Sequence, residues 1–279
     1  MNERAIERAR QWLDESDCVL IGAGAGLSAA AGVDYGDTRT FARLFPAFVR
    51  MGFRAQYQLI GYEGLTPAQH WGYWSTHVRH VRYGQDERPV YQALRGLVAG
   101  KDTFVLTSNV DMLFARNGFD ESRLFTPQGD YARMQCRRPC VRHTWPTQTF
   151  IEPALATLDP DTQEVTSPQA IPRCPNCGGE VFMNVRLDDA FLEEPYLDQA
   201  QRFRAWVQGA AKQRLCVLEI GAGFNTPSVV RWRMEQLVAR APQAKLVRIN
   251  LTHPELPPEL ANDAVALRAD ATAALAALK

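Results

Sequence analysis

Two stretches of this 279-residue chain repeat one pattern almost ~200 residues apart: DCVLIGAGAGLSAAAGV (17–33) and LCVLEIGAGFNTPSVVRW (215–232). Each is a short, predominantly apolar run that ends in a glycine turn and passes into a helical pattern. A run of that length without polar alternation fits a strand buried on both faces, as in a parallel sheet. TFVLTSNVDMLF (103–114) and AKLVRINLTHPEL (244–256) supply two further strand-to-loop units. Helical stretches such as SVVRWRMEQLVARA separate them. Strands alternating with helices predict an α/β fold, a Rossmann-like parallel sheet with helices on both faces. Ligands of such sheets bind at the carboxyl ends of the strands, where these glycine and polar loops fall.

Two stretches break the rhythm. Residues 41–90 are rich in aromatic side chains and are expected as a helical insert or lid. Residues 132–190 hold two close cysteine pairs, Cys136 with Cys140 and Cys174 with Cys177, and are expected as an inserted zinc module. Residues 1–40, 91–131 and 191–279 are then assigned to the Rossmann-like, dinucleotide-binding domain. The close pairing points to zinc rather than disulfides, and Gly178-Gly179 lets the backbone turn its amides toward the thiolates. His143 is a weaker candidate ligand, because four cysteines suffice. Cys18 and Cys216, inside the apolar runs, are expected as small core hydrophobes.

Composition removes several functional classes. The 31 Lys and Arg balance 31 Asp and Glu, so no basic surface for nucleic acid is indicated. No apolar run approaches the ~20 residues needed to span a bilayer. The opening MNERAIERARQWLDESD is a charged amphipathic helix without an apolar signal core. A cytoplasmic protein with no membrane or nucleic-acid partner is expected.

Gly24-Ala25-Gly26-Leu27-Ser28-Ala29 allows backbone N–H groups to approach a pyrophosphate, or serves packing only. A hydride-transfer enzyme would also carry an acid about 20 positions on, to hold a ribose hydroxyl. Residues 44–50 read LFPAFVR, without one.

At this point several motifs coincide in order. Gly24 through Val33 resembles the cofactor loop of the sirtuins, and Thr107-Ser108-Asn109-Val110-Asp111 resembles their T-Q-N-I-D motif. The cysteine pairs resemble their zinc module. Gly221-Ala222-Gly223-Phe224-Asn225 stands where they carry a second small-residue loop, and Val247-Arg248-Ile249-Asn250 resembles their strand ending in a ribose-contacting asparagine. The resemblance spans about residues 18–275 and implies a sirtuin fold with NAD as co-substrate and structural zinc held by Cys136, Cys140, Cys174 and Cys177. Its implied cofactor contacts are Gly24, Ala25, Gly26, Ser28, Ala29, Tyr35, Ser108, Asn109, Asp111, Gln128, Gly221, Ala222, Gly223, Asn250 and Asp270. Asn109, Asp111 and Gln128 are its implied catalytic set. Individual alternatives stay open. Ser28 touches phosphate or caps its helix, Asp111 positions nicotinamide or caps the next helix, and Tyr35 covers the nicotinamide pocket or simply packs.

The departures from the family are as informative. Eight residues before Cys136, where sirtuin deacylases carry a catalytic histidine, stands Gln128. An amide does not accept a proton near neutral pH, so it orients groups rather than acting as general base. Asp34-Tyr35-Gly36-Asp37 replaces an arginine-containing tetrad. Val185-Arg186-Leu187-Asp188-Asp189 replaces the segment lining the acyl-lysine tunnel, and an Arg with two Asp is expected to be a costly lining for an acyl chain. His70, His77 and His80 are expected on a partly buried helix side rather than as a substitute base. Together these changes resemble the macrodomain-linked (class M) sirtuins. That resemblance implies protein mono-ADP-ribosyl transfer, a lipoylated carrier protein as acceptor and a macrodomain ADP-ribosyl hydrolase as counterpart. Lysine deacylation, NAD hydrolysis and a silent NAD-binding module are the alternatives.

Overall fold

The computed structural model describes residues 1–84 and 87–279. Residues 85 and 86, inside the stretch expected as a helical insert, lie outside the described residues. In chain order the strands are β1 (Cys18–Ala23), β2 (Asp102–Thr107), β3 (Leu124–Phe125), β4 (Gly129–Cys136), β5 (Trp145–Pro146), β6 (Val181–Val185), β7 (Leu215–Ile220), β8 (Lys245–Ile249) and β9 (Ala264–Leu267). The chain divides into two compact units.

The first unit comprises Met1–Gly32, Asp86–Gln128 and Tyr196–Lys279. Its six-stranded sheet runs β3-β2-β1-β7-β8-β9, with every pairing parallel. Every residue of β1 and β7 is buried, which is what their largely apolar sequences require of central strands, Glu219 being the one charge among them. The chain leaves β1 toward β2 and β3, then returns to the other side of β1 as β7. This reversal of strand order makes the β1/β7 boundary the switch point, so the loops after Ala23 and Ile220 open side by side at the carboxyl edge. Cys18 and Cys216, at the opposite, amino ends of β1 and β7, are buried as core side chains, and burial pushes the Cys216 thiol up to about 12.

A fully buried ion pair stiffens the same half of the sheet. Arg248 on β8 donates to both oxygens of Glu219 on β7 (2.7 and 2.8 Å) and to Glu235 (2.7 Å). Burial raises the Glu219 carboxyl above its ordinary range, while the bidentate guanidinium pulls it back. Arg231, 3% exposed, donates to the carbonyls of Ala222, His253 and Glu255, tying the loop after β7 to the loop after β8.

The second unit comprises Val33–Gln85 and Gly129–Pro195. Its antiparallel sheet runs β5-β4-β6. The helix Pro67–Tyr83 starts on a capping box, in which Thr66 accepts from the Gln69 N–H and the Gln69 side chain accepts from the Thr66 N–H. It packs on the helix Gln148–Ala156 and on β4. The two sequence segments are joined by Gln163, whose amide donates to the Leu44 carbonyl and accepts from the Ala47 N–H. Among the described residues, no helix is long and apolar enough to cross a membrane.

Candidate functional site

At the switch point the glycines are dictated by backbone contact. A Cβ on Gly24 would lie 2.7 Å from the Ala222 Cα, and one on Gly26 would lie 2.7 Å from the Gly221 Cα. Gly221 itself has φ +64°. The two glycine loops therefore pack directly on each other, joined by Gly26 N–H to Gly221 O at 3.0 Å. Any larger residue would force them apart, so packing is one function of these glycines.

The loop after β2 is laced to the same place. Thr107 Oγ1 donates to the Ala23 carbonyl, and the Ser108 N–H donates to it as well. The Asn109 side-chain amide donates to the Gly24 carbonyl at 3.0 Å. Ser28 does not cap: it sits inside the short helix Ala25–Ala30, whose N-cap is Gly24. Its hydroxyl instead donates to Asp111 Oδ2 at 2.5 Å. From the position before the N-cap, which is Met112, the other Asp111 oxygen accepts from the Leu113 N–H at 2.9 Å, so Asp111 steadies the helix start without being its N-cap. Between them Met112 takes φ +57°, a left-handed conformation that a non-glycine residue adopts at a cost of ~1–3 kcal/mol. The first glycine turn and the loop after β2 thus meet at one buried carboxylate.

Tyr91 completes this cluster. It is fully buried on the helix Pro89–Leu97, beside Asp111, Ser28 and Asn109, and its hydroxyl lacks a hydrogen-bond partner of ordinary geometry. Burial, then the Asp111 charge, pushes its phenol well above the ordinary range, so it remains a neutral hydroxyl. Sequence reasoning missed it, because P-V-Y-Q-A-L reads as an amphipathic helix burying an aromatic ring.

The remaining candidates are placed as follows. Gln128 is half-buried in the connection between β3 and β4, and among the described residues nothing hydrogen-bonds its side-chain amide. The Asn250 amide donates to the Ala222 carbonyl, and its oxygen accepts from the His253 and Thr252 N–H groups. Asp270 caps the helix Ala271–Leu278 by accepting from the Ala273 N–H. Tyr35 belongs to the second unit, where its ring meets His77 (4.9 Å) and Tyr57 (5.8 Å) edge-on.

His77 is no substitute base. It is fully buried, with Nδ1 at 2.5 Å from the Gln56 side-chain oxygen, and burial, reinforced by the His80 charge, pushes it down to about 3. In the unfolded chain the same group titrates near its ordinary 6.5. The native state therefore binds fewer protons between these values. The stability is whole above about pH 6.5 and is lost as pH falls toward 3, at about 1.4 kcal/mol per pH unit. Urea midpoints from pH 7 to 4.5 should fall more steeply for the wild type than for His77→Gln; parallel curves would refute the assignment.

In the second unit the four sulfurs of Cys136, Cys140, Cys174 and Cys177 lie within 4.8 Å of one another. Cys136 to Cys177 is 3.7 Å and Cys140 to Cys174 is 3.5 Å, close to the ~3.8 Å edge of a tetrahedron with zinc–sulfur bonds of about 2.3 Å. Gly178, at φ +70°, turns the knuckle after Cys174. Burial raises the Cys174 thiol, but the Cys177 and Asn176 amides and the neighbouring sulfurs bring it down to about 7. The donor set suits structural zinc, with no fifth position for chemistry. His143 stacks edge-on against Trp145 instead of joining the cluster.

The segment after β6 alternates in character. Strand-like alternation turns Val185 and Leu187 toward a cavity, while Arg186 pairs with Glu193 and Asp188 pairs with Arg137. The Arg186 guanidinium also lies over the Phe191 ring, 4.4 Å from its centroid.

No family model matches the chain. Among solved structures, a Sir2 homologue in complex with NAD superposes with a TM-score of 0.59 at 19% identity, covering 98% of this chain and 91% of that one. The fold is that of the sirtuins. The sirtuin fold extends over both units, with its parallel sheet and its cysteine cluster. Two curated proteins are similar in sequence. A probable bifunctional ADP-ribose hydrolase/ADP-ribosyltransferase of Fusarium oxysporum f. sp. cubense is 37% identical over 254 residues, 88% of this chain and 42% of that protein. A protein ADP-ribosyltransferase of Staphylococcus aureus (strain Mu50) is 29% identical over 254 residues, 88% of this chain and 78% of that protein. The chain thus spans less than half the length of the fungal relative.

Proposed function

We propose that this protein is an NAD-dependent mono-ADP-ribosyltransferase that modifies a protein acceptor. The observation that carries the reading is the Ser28–Asp111 hydrogen bond, which joins the first glycine loop to the T-S-N-V-D loop beside Asn109 at the switch point. Two sequence relatives named as ADP-ribosyltransferases support the reaction, and the NAD complex of a Sir2 homologue supports the co-substrate.

In this mechanism the diphosphate rests on the Gly24–Ser28 turn. Asn109 and Ser108 orient the nicotinamide, with the ionised Asp111 near the ribose. As the bond from nicotinamide to C1′ breaks, its electron pair leaves with the neutral amide and positive charge grows on the ribose. A nearby carboxylate stabilises that charge without moving a proton. The acceptor nucleophile then bonds to C1′ and releases its proton to solvent. Gln128 donates to or accepts from a ribose hydroxyl and orients the acceptor. Gly221, Ala222, Gly223, Asn250 and Asp270 form the adenosine side. Zinc at the four cysteines supplies structure only. The acceptor is proposed to be a lipoylated carrier protein in the cytoplasm, with a macrodomain ADP-ribosyl hydrolase reversing the mark.

The test is incubation with NAD labelled in the adenosine half together with the carrier. Label recovered on the carrier supports the proposal; label confined to free ADP-ribose makes the protein a hydrolase. Formation of acylated ADP-ribose from an acyl-lysine peptide would make it a deacylase.

A further inference from the structure

The second unit contains a cavity of about 490 Å³ between the helix Pro67–Tyr83 and the strand β6, using none of the residues assigned to the dinucleotide. Its walls are the rings of Trp71, Trp74 and Phe182 and the side chains of Ile171, Val185 and Leu187. Trp71 and Trp74 are each only 5% exposed, and among the described residues neither indole N–H has a protein hydrogen-bond partner, so both donors stay open to solvent or to a ligand oxygen. At the mouth, Arg137 is paired with Asp188, whereas the exposed Arg173 has no ion-pair partner among the described residues.

We infer that this cavity binds a small planar aromatic carboxylate, its rings against the indoles and its carboxylate reached by the indole N–H groups and Arg173. The size suits a molecule of about 10–15 non-hydrogen atoms, since pockets of ~300–1,000 Å³ hold small organic ligands. An organic cation would match the aromatic rings but would set its charge against Arg173 and leave both indole donors unsatisfied. Glu63 and Glu180, on the same lining, disfavour a second anionic group and so select monoacids over diacids.

The test uses the full chain with three probes of equal size and different charge: 2-naphthoate, 2-acetylnaphthalene and 2-naphthylmethylammonium, titrated by calorimetry. Naphthoate should bind with the highest affinity, the ketone more weakly, and the ammonium at least ~10-fold more weakly than naphthoate. Arg173→Glu, an exposed change that leaves the core intact, should weaken naphthoate by about tenfold and leave the ketone unchanged within about twofold. Ile171→Trp, which adds bulk inside the cavity, should abolish binding of both. The inference is overturned if no probe binds at millimolar concentration or the ammonium binds as tightly as the acid. It is equally overturned if Arg173→Glu has no effect, or if a folded Ile171→Trp still binds both. ADP-ribosyl transfer measured beside it reports on the other site, so either reading can fail alone.

Discussion

Nicotinamide release from NAD by Asp111→Asn should fall at least ~100-fold, with the affinity for NAD changed much less. The substitution keeps the shape and one acceptor for the Leu113 N–H, so the helix start survives. What it removes is the negative charge that accepts from Ser28 and stands beside the neutral Tyr91 hydroxyl. A preorganised charge in a site only 4% exposed is worth far more to a developing cation than the same charge in water, and loss of one such group costs ~10²–10³ in rate. Ser28→Ala should cost less, because it frees the carboxylate without discharging it. Single-turnover release of nicotinamide separates the two effects, and an Asp111→Asn rate within about threefold of wild type would remove Asp111 from the mechanism.

Loss of metal should be the largest stability effect. We expect about one zinc per chain. Stripping it with a chelator, or substituting Cys174→Ser, should lower Tm by ~10 °C or more. Structural zinc contributes ~10–16 kcal/mol of apparent binding energy in small modules, of which competing protonation and local unfolding leave a part. Each kcal/mol moves Tm by about 2–4 °C in a domain of this size. The Cys136–Cys140 and Cys174–Cys177 pairs close the two ends of β4 and β6 together, so the second unit should loosen first. Hydrogen exchange would show this as protection lost first within 129–195 and the helix Pro67–Tyr83 packed on it, with the parallel sheet still protected. A chelated, metal-free chain with unchanged Tm would contradict the assignment.

Much of the dinucleotide half was legible because its physics is local. Predominantly apolar runs at β1 and β7 announce buried parallel strands, and the glycines after them mark where backbone must meet backbone. The cysteine spacing was legible for the same reason. What escaped depends on partners distant in the chain. Glu219 and Arg248 look like misplaced charges in apolar strands until β7 and β8 are paired, when each neutralises the other. Tyr91 looks like core until the β2 loop brings Asn109 and Asp111 to it. The two-residue β3 and the four-residue β9 carry too few side chains to show a period. Val185 and Leu187 were hidden behind their charged neighbours, because a segment of alternating character presents only one of its faces to the cavity.

The central claim is that the carboxyl edge at β1 and β7 holds the dinucleotide and that an amide stands where deacylases keep an imidazole. A crystal structure of the chain grown with NAD tests it most directly. The account predicts the diphosphate on the Gly24–Ser28 turn, the nicotinamide ribose beside Asp111, and the Gln128 amide hydrogen-bonded to a ribose hydroxyl. Dinucleotide bound elsewhere, or Gln128 turned away while another side chain stands ready to take a proton from that ribose, would contradict it.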